Sequence, residues 1–155
     1  IDNGGHNHTA TYQAANGFPG GYRELVHNMN GSGSLYVYHR FEVEYDPSLP
    51  GNAIHHINYT ESQISLSPTN AAVGWGFFLE QNGVRHLKSI GTAVYSSPTW
   101  QHNGIPSMTA ADFPGATLTA GGKIKFGFYR ANTSTSGIYT LVHGIDNFSV
   151  QVCRQ

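Results

Sequence analysis

Glycine and proline interrupt this chain of 155 residues at intervals of roughly eight to twelve residues, which restricts regular structure to short segments. Between the interruptions, apolar and polar residues alternate, or β-branched and aromatic residues cluster, as they do in β-strands. The best helical signal, residues 109–113, is too short for more than one turn and ends at Pro114. The sequence therefore predicts an all-β fold.

The predicted strands are numerous and short, which favours two packed sheets over one open sheet. We expect one domain over residues 1–155, in which residues 1–11 form either an extended N-terminal arm or an edge strand. The alternation of the last strand is broken near Asp146 and Asn147, which predicts a β-bulge there. The predicted strands are 9–14, 22–28, 35–45, 53–60, 71–81, 84–88, 99–103, 123–130 and 143–152.

The strand at 35–45 has the clearest alternation of the whole chain. One face carries Leu35, Val37, His39, Phe41, Val43 and Tyr45, and the other carries Tyr36, Tyr38, Arg40, Glu42 and Glu44. We expect the first face to lie in the core and the second to meet solvent or a ligand.

Charge is scarce, because only 11% of the residues are Asp, Glu, Lys or Arg and the net charge is -1. A chain without a basic stripe is a poor partner for nucleic acid or for an anionic membrane surface, and a neutral partner such as a sugar suits it better. No apolar run is long enough to insert into a bilayer. The chain begins at Ile1 instead of methionine, which fits removal of a signal peptide and an extracellular location, although any trimmed chain would look the same.

Several short strings resemble those of bacterial extracellular jelly-roll domains with a lectin-like architecture, which occur in exported and surface-anchored proteins. The strings are Gly17-Phe18-Pro19-Gly20-Gly21-Tyr22, Tyr45-Asp46-Pro47 with residues 54–59, residues 126–132, and His143-Gly144-Ile145-Asp146-Asn147-Phe148. The resemblance implies an antiparallel, two-sheet β-sandwich of jelly-roll type. Such domains often bind carbohydrate, and many hold a structural calcium ion between the two ends of the chain.

A calcium site requires hard oxygen ligands, and both ends of this chain supply them. The candidate ligands are Asp2, Asn3, Asp146 and Asn147. The alternative is that Asp146 and Asn147 only form the bulge or a turn.

Carbohydrate recognition combines aromatic faces with neighbouring polar side chains. Tyr36 and Tyr38 share a strand face with Arg40 and Glu42, and a platform there requires that no second sheet covers it. Trp100 with His102 nearby is a candidate second anchor, whereas Trp75 is expected in the core. The sequence thus favours a secreted, non-catalytic domain whose partner is a glycan or cell-surface polysaccharide.

Two other classes of function stay open. In the first, the chain is a structural subunit of an extracellular filament or surface layer, and residues 1–11 pair with an open edge on another copy. In the second, Glu42 and Glu44 act as the carboxylates of a glycan hydrolase, since alternate residues of a strand lie about 7 Å apart. The competing interpretation of these acids is a solvated face on which Arg40 pairs with them.

A transition-metal site is also conceivable at His6 and His8, which are two residues apart. A third ligand from elsewhere in the chain would be needed to complete it.

Overall fold

A computed structural model describes residues 2–3, 5–67, 72–94 and 99–155, with side chains over 5–67, 73–90 and 99–155. Ten strands are present: β1 (Asp2–Asn3), β2 (Asn7–Gly17), β3 (Gly20–Asn30), β4 (Gly33–Tyr45), β5 (Ile54–Ser65), β6 (Ala72–Gln81), β7 (Val84–Val94), β8 (Gln101–Met108), β9 (Ile124–Ser134) and β10 (Ile138–Arg154). A 3-10 turn at Ala110–Asp112 is the only helical element in the described part of the chain. None of the described residues forms a helix capable of spanning a bilayer.

The strands form two antiparallel five-stranded sheets, which confirms the predicted sandwich. Sheet A has the order β1-β4-β9-β6-β7, and sheet B has the order β2-β3-β10-β5-β8. The short β1 pairs with the beginning of β4. Residues 7–17 form an edge strand of sheet B, for which β3 is the single partner among the described strands.

The core lies between the sheets and consists of side chains from alternate positions of the central strands. Phe77, Phe128 and Tyr59 are fully or almost fully buried in it, and Trp75 is buried beside them. Full burial of an apolar side chain of this size contributes about 1.5–3 kcal/mol. These aromatic side chains therefore supply much of the driving force that holds sheet A against sheet B.

The alternation predicted for β4 holds as far as Phe41 and then fails. The pairing of β4 with β9 shifts between Arg40 and Glu44, so β4 contains extra residues relative to its partner. As a result Val43, which we expected to face the core, is 79% exposed. The bulge predicted in β10 is confirmed, since the register with β5 shifts between Asp146 and Ser149.

A buried polar layer interrupts the apolar core. The guanidinium of Arg130 donates to the Glu61 carboxylate at 2.5 Å, and neither side chain is exposed to solvent. Tyr59 and Gln63 also donate to this carboxylate. An ion pair buried in this way is tolerated because additional donors satisfy the remaining oxygen lone pairs.

Three histidines lie in the same layer and are neutral in the folded protein. Burial lowers the pKa of His27 to about 4 and that of His39 to about 3. Burial also holds the pKa of His143 well below its ordinary value. The rings of His27 and His143 meet edge to face at 5.1 Å.

Candidate functional site

The outward surface of sheet A carries a cluster of aromatic side chains that we call the aromatic face. It consists of Tyr36 and Tyr38 from β4, Tyr129 from β9, Phe78 from β6 and Arg85 from β7. Sheet B packs on the opposite surface of sheet A, so no sheet formed by the described residues covers this one. The condition set for a tyrosine platform is therefore met.

Two glycines allow the lower rings of the aromatic face to lie flat on the sheet. A Cβ atom at Gly76 would collide with the Tyr129 ring, and one at Gly127 would collide with the Phe78 ring. Both rings are buried in consequence. They form a rigid layer beneath the tyrosines of β4.

The tyrosines of β4 rest on this layer and complete the surface. Tyr38 contacts Phe78 edge to face with the ring centroids 5.5 Å apart. Tyr129 lies between the two tyrosines, at 6.0 Å from Tyr38 and 6.4 Å from Tyr36. Tyr36 is 37% exposed, so its ring offers an accessible apolar surface. Aromatic surfaces of this kind stack on the C–H groups of sugar rings.

Charged side chains fix the edge of the aromatic face. The guanidinium of Arg85 lies 4.7 Å from the centre of the Tyr38 ring, within cation–π distance. Glu80 accepts hydrogen bonds from Arg40 at 2.8 Å and from Arg85 at 3.1 Å. Burial opposes ionisation of Glu80, but the two arginines outweigh it and lower the pKa of its carboxyl. Arg40 and Arg85 are thus held in place beside the rings.

The carboxylates proposed for hydrolysis, Glu42 and Glu44, form ion pairs on the solvated end of the same strand. Lys125 lies 3.7 Å from Glu42 and 3.6 Å from Glu44. Arg40 also pairs with Glu42 at 3.5 Å, as the competing interpretation predicted. Lys123 donates to Glu44, and this hydrogen bond lowers the pKa of the Glu44 carboxyl. A glycosidase acid requires a raised pKa, so Glu44 has the wrong electrostatic environment for that role.

Of the other two predicted ligand residues, His102 lies on β8 of sheet B and Trp100 directly precedes that strand, so neither belongs to the aromatic face. The Trp100 ring packs edge to face on Tyr22 of β3, and its Nε1 donates to the Asn16 carbonyl at 3.2 Å. His102 of β8 lies beside Ser62 of β5. The six predicted residues therefore form two groups, one at each sheet. Trp100 holds the start of β8 against the β2–β3 hairpin.

The four predicted calcium ligands are not brought together either. Asp2 and Asn3 pair with the beginning of β4 in sheet A, whereas Asp146 lies at the bulge of β10 in sheet B. Both carboxylate oxygens of Asp146 accept backbone amide protons, from Phe18 at 2.5 Å and from Asn147 at 2.7 Å. The two pairs of candidate ligands thus belong to different sheets, and a structural calcium ion stays a prediction.

His6, one member of the histidine pair, has a structural role. His6 is buried, and its Nδ1 accepts a hydrogen bond from the Asn30 amide at 3.0 Å. Within the described residues there is no group of three or more His, Cys, Asp and Glu side chains with the geometry to hold a metal ion.

Sequence reasoning missed Phe78, Arg85 and Glu80 as members of the aromatic face. They lie on β6 and β7, which are separated from β4 by β9 in the sheet. Nothing in their local sequence indicates this neighbourhood, because it depends on the strand order.

No family model and no curated protein matches this chain in sequence. Solved structures do match its fold. A family 11 carbohydrate-binding module of the cellulosomal cellulase Lic26A-Cel5E of Clostridium thermocellum superposes with a TM-score of 0.59 at 14% identity, covering 100% of this chain and 86% of that one. The family 11 module from Clostridium thermocellum in complex with a β-1,3-1,4-mixed-linked tetrasaccharide gives 0.58 at 15% identity, covering 96% and 84%. The family 30 module of the cellulosomal cellulase Cel9D-Cel44B of the same organism gives 0.55 at 11% identity, covering 92% and 82%.

The chain therefore has the jelly-roll β-sandwich fold found in carbohydrate-binding modules. This confirms the fold that the sequence resemblance implied. At these identities the likeness establishes the fold alone.

Proposed function

We propose that this chain is a non-catalytic, extracellular carbohydrate-binding domain that stacks a neutral glycan on the aromatic face. The observation that carries the proposal is the pair Tyr36 and Tyr38, which lie side by side on an uncovered sheet surface above a buried ring layer. Arg85 and Arg40 supply hydrogen-bond donors for sugar hydroxyls at the edge of the rings. A preorganised surface of this kind loses little side-chain conformational entropy when it binds a ligand.

The similarity to carbohydrate-binding modules supports this function and suggests which glycans to test first. One of these modules was solved with a β-1,3-1,4-mixed-linked tetrasaccharide, so mixed-linked β-glucan belongs in the panel. The ion-paired state of Glu42 and Glu44 supports a binding function over hydrolysis. No turnover is expected on any glycan that the domain retains.

Affinity electrophoresis in gels containing neutral polysaccharides tests the proposal. We expect at least one polysaccharide to retard the wild-type protein, and Tyr38→Ala to remove the retardation because it deletes one of the two β4 tyrosines and the support that its ring gives to Arg85. Ile138→Ala is the control, since Ile138 is an exposed apolar residue on the other sheet and lies in neither proposed site. Equal retardation of wild type and Tyr38→Ala would place the glycan elsewhere.

The filament alternative has one observation in its favour. The edge strand β2 is exposed along most of its length and contains no Asp, Glu, Lys or Arg, the residues that usually protect sheet edges from pairing. If this edge joins copies of the chain, light scattering should detect assemblies in the wild type. Lysines introduced as Thr9→Lys and Thr11→Lys should then return the protein to monomer.

A further inference from the structure

Arg23 lines a cavity and has no ion pair with any carboxylate of the described residues. Every lysine, and every arginine except Arg23 and Arg154, lies within ion-pair distance of a described carboxylate. Arg23 instead donates from Nη1 to the ring of His39 at 3.4 Å. Burial and then the charge of Arg23 itself lower the pKa of His39 to about 3, so this partner is neutral at pH 7.

Arg23 lines a cavity of about 340 Å³ where the β2–β3 hairpin meets the bulge of β10. Three aromatic side chains, Tyr12, Tyr22 and Phe148, line the cavity as well, and two of them are unusually accessible: Tyr12 is 76% exposed and Phe148 is 42% exposed. Tyr12 is the direct cross-strand neighbour of Arg23, so its ring and the guanidinium lie on the same side of the sheet. Gly21 makes room for the Tyr12 hydroxyl, since a Cβ there would collide with it.

The remaining polar groups of the cavity are held rigidly. Asn147 donates from its side chain to the Phe18 carbonyl, and both oxygens of Asp146 accept backbone amide protons. The bonds from Phe18 and to Phe18 tie the β2–β3 hairpin to the bulge of β10. The negative charge of Asp146 is therefore already engaged by the turn and is not paired with Arg23.

From this geometry we propose a second binding site, distinct from the aromatic face, that accepts an acidic sugar. The carboxylate of a hexuronate residue pairs with Arg23, and the pyranose ring lies against Tyr12 and Phe148. A guanidinium favours a planar carboxylate because it can donate two parallel hydrogen bonds. The accessible rings favour a pyranose over an extended acidic peptide, which has no comparable C–H face. This site does not depend on the function proposed for Tyr36 and Tyr38.

The test compares trigalacturonate with its fully methyl-esterified form, because the two differ in charge and hardly in shape. We expect calorimetric titration to give an affinity for trigalacturonate at least tenfold higher than for the ester, as one charge-assisted hydrogen bond is typically worth about 1.5–3 kcal/mol. Arg23→Gln should remove this difference, and Arg23→Lys should retain part of it. Arg154→Gln is the matched control, because Arg154 also lacks a carboxylate partner among the described residues, and it should retain the full difference.

Three results would overturn the proposal. The first is equal affinity of the wild type for acid and ester, including no affinity for either. The second is loss of the difference in Tyr38→Ala but not in Arg23→Gln, which would assign the acid to the aromatic face. The third is tighter binding of the peptide acetyl-Glu-Gly-Glu-amide than of trigalacturonate. Thermal denaturation of each variant verifies that Arg23→Gln is folded, and Arg23→Lys provides the test if it is not.

Discussion

The buried histidines should make the fold sensitive to mild acid, and the size of the effect follows from their environment. Each of these histidines is neutral in the folded protein and binds a proton near pH 6.5 when unfolded. When the pKa of a group is lower in the folded protein than in the unfolded one, the unfolded state binds protons first as the pH falls. The free energy of unfolding is therefore unaffected above pH 6.5 and decreases below it, until the folded group is protonated as well. With folded values of about 4 for His27 and about 3 for His39, the loss at pH 5 is about 2 kcal/mol for each.

His143 adds to the loss in the same direction, since burial also lowers its pKa. A domain stability of about 5–15 kcal/mol leaves little margin for such a reduction. We therefore expect the free energy of unfolding, measured by urea denaturation with tryptophan fluorescence, to fall by about 4 kcal/mol or more between pH 7 and pH 5.

A substitution isolates the contribution of one ring. His27→Gln should reduce the difference between pH 7 and pH 5 by about 2 kcal/mol, whatever it does to stability at pH 7. His55→Gln is the control, because His55 is an exposed histidine, and it should leave the wild-type difference unchanged. The reasoning is refuted if His27→Gln retains the full wild-type difference, or if the wild type is equally stable at both pH values.

Two further substitutions test the core and the site. Glu61→Gln leaves the Arg130 guanidinium buried without its counter-charge and should cost about 3–5 kcal/mol in urea denaturation, and a cost under about 1 kcal/mol would contradict the buried pair. Gly76→Ala pushes a methyl group into the Tyr129 ring, so it should lower the stability measured by thermal denaturation by about 1–3 kcal/mol and weaken glycan retention. Gly74→Ala is the control, because a Cβ at Gly74 meets only ordinary van der Waals contacts. It should change neither stability nor retention.

Much of the fold was predictable because the strands follow the turn residues and the alternation closely. The strand predicted at 35–45 is present as Gly33–Tyr45, two residues longer at its start, and its tyrosines at positions 36 and 38 face outward. The bulge at Asp146 was visible as a break in the alternation. Val43 was placed wrongly because a second bulge, in β4, has no such break in the sequence to mark it.

The site was only half predictable for a different reason. Tyr36, Tyr38, Arg40 and Glu42 lie on one strand, and their shared face follows from the period of two alone. Trp100 was assigned to the same ligand, but it packs against β3 of the other sheet. The local sequence could not show this, because the order of strands in a sheet does not follow from the alternation within each strand.

The buried polar layer was missed entirely. Glu61 and Arg130 are separated by 69 residues, and no local pattern marks either charged side chain as paired. Only the packing of the two sheets reveals that both are inside.

The most direct test of the central claim is to find which surface a bound glycan occupies. Amide chemical shifts recorded by NMR during titration with the best-retained neutral oligosaccharide would identify it. The account predicts that the largest changes fall on β4, β9 and β6 around Tyr36, Tyr38 and Tyr129. Changes confined to sheet B around Tyr22 and Trp100 would contradict it.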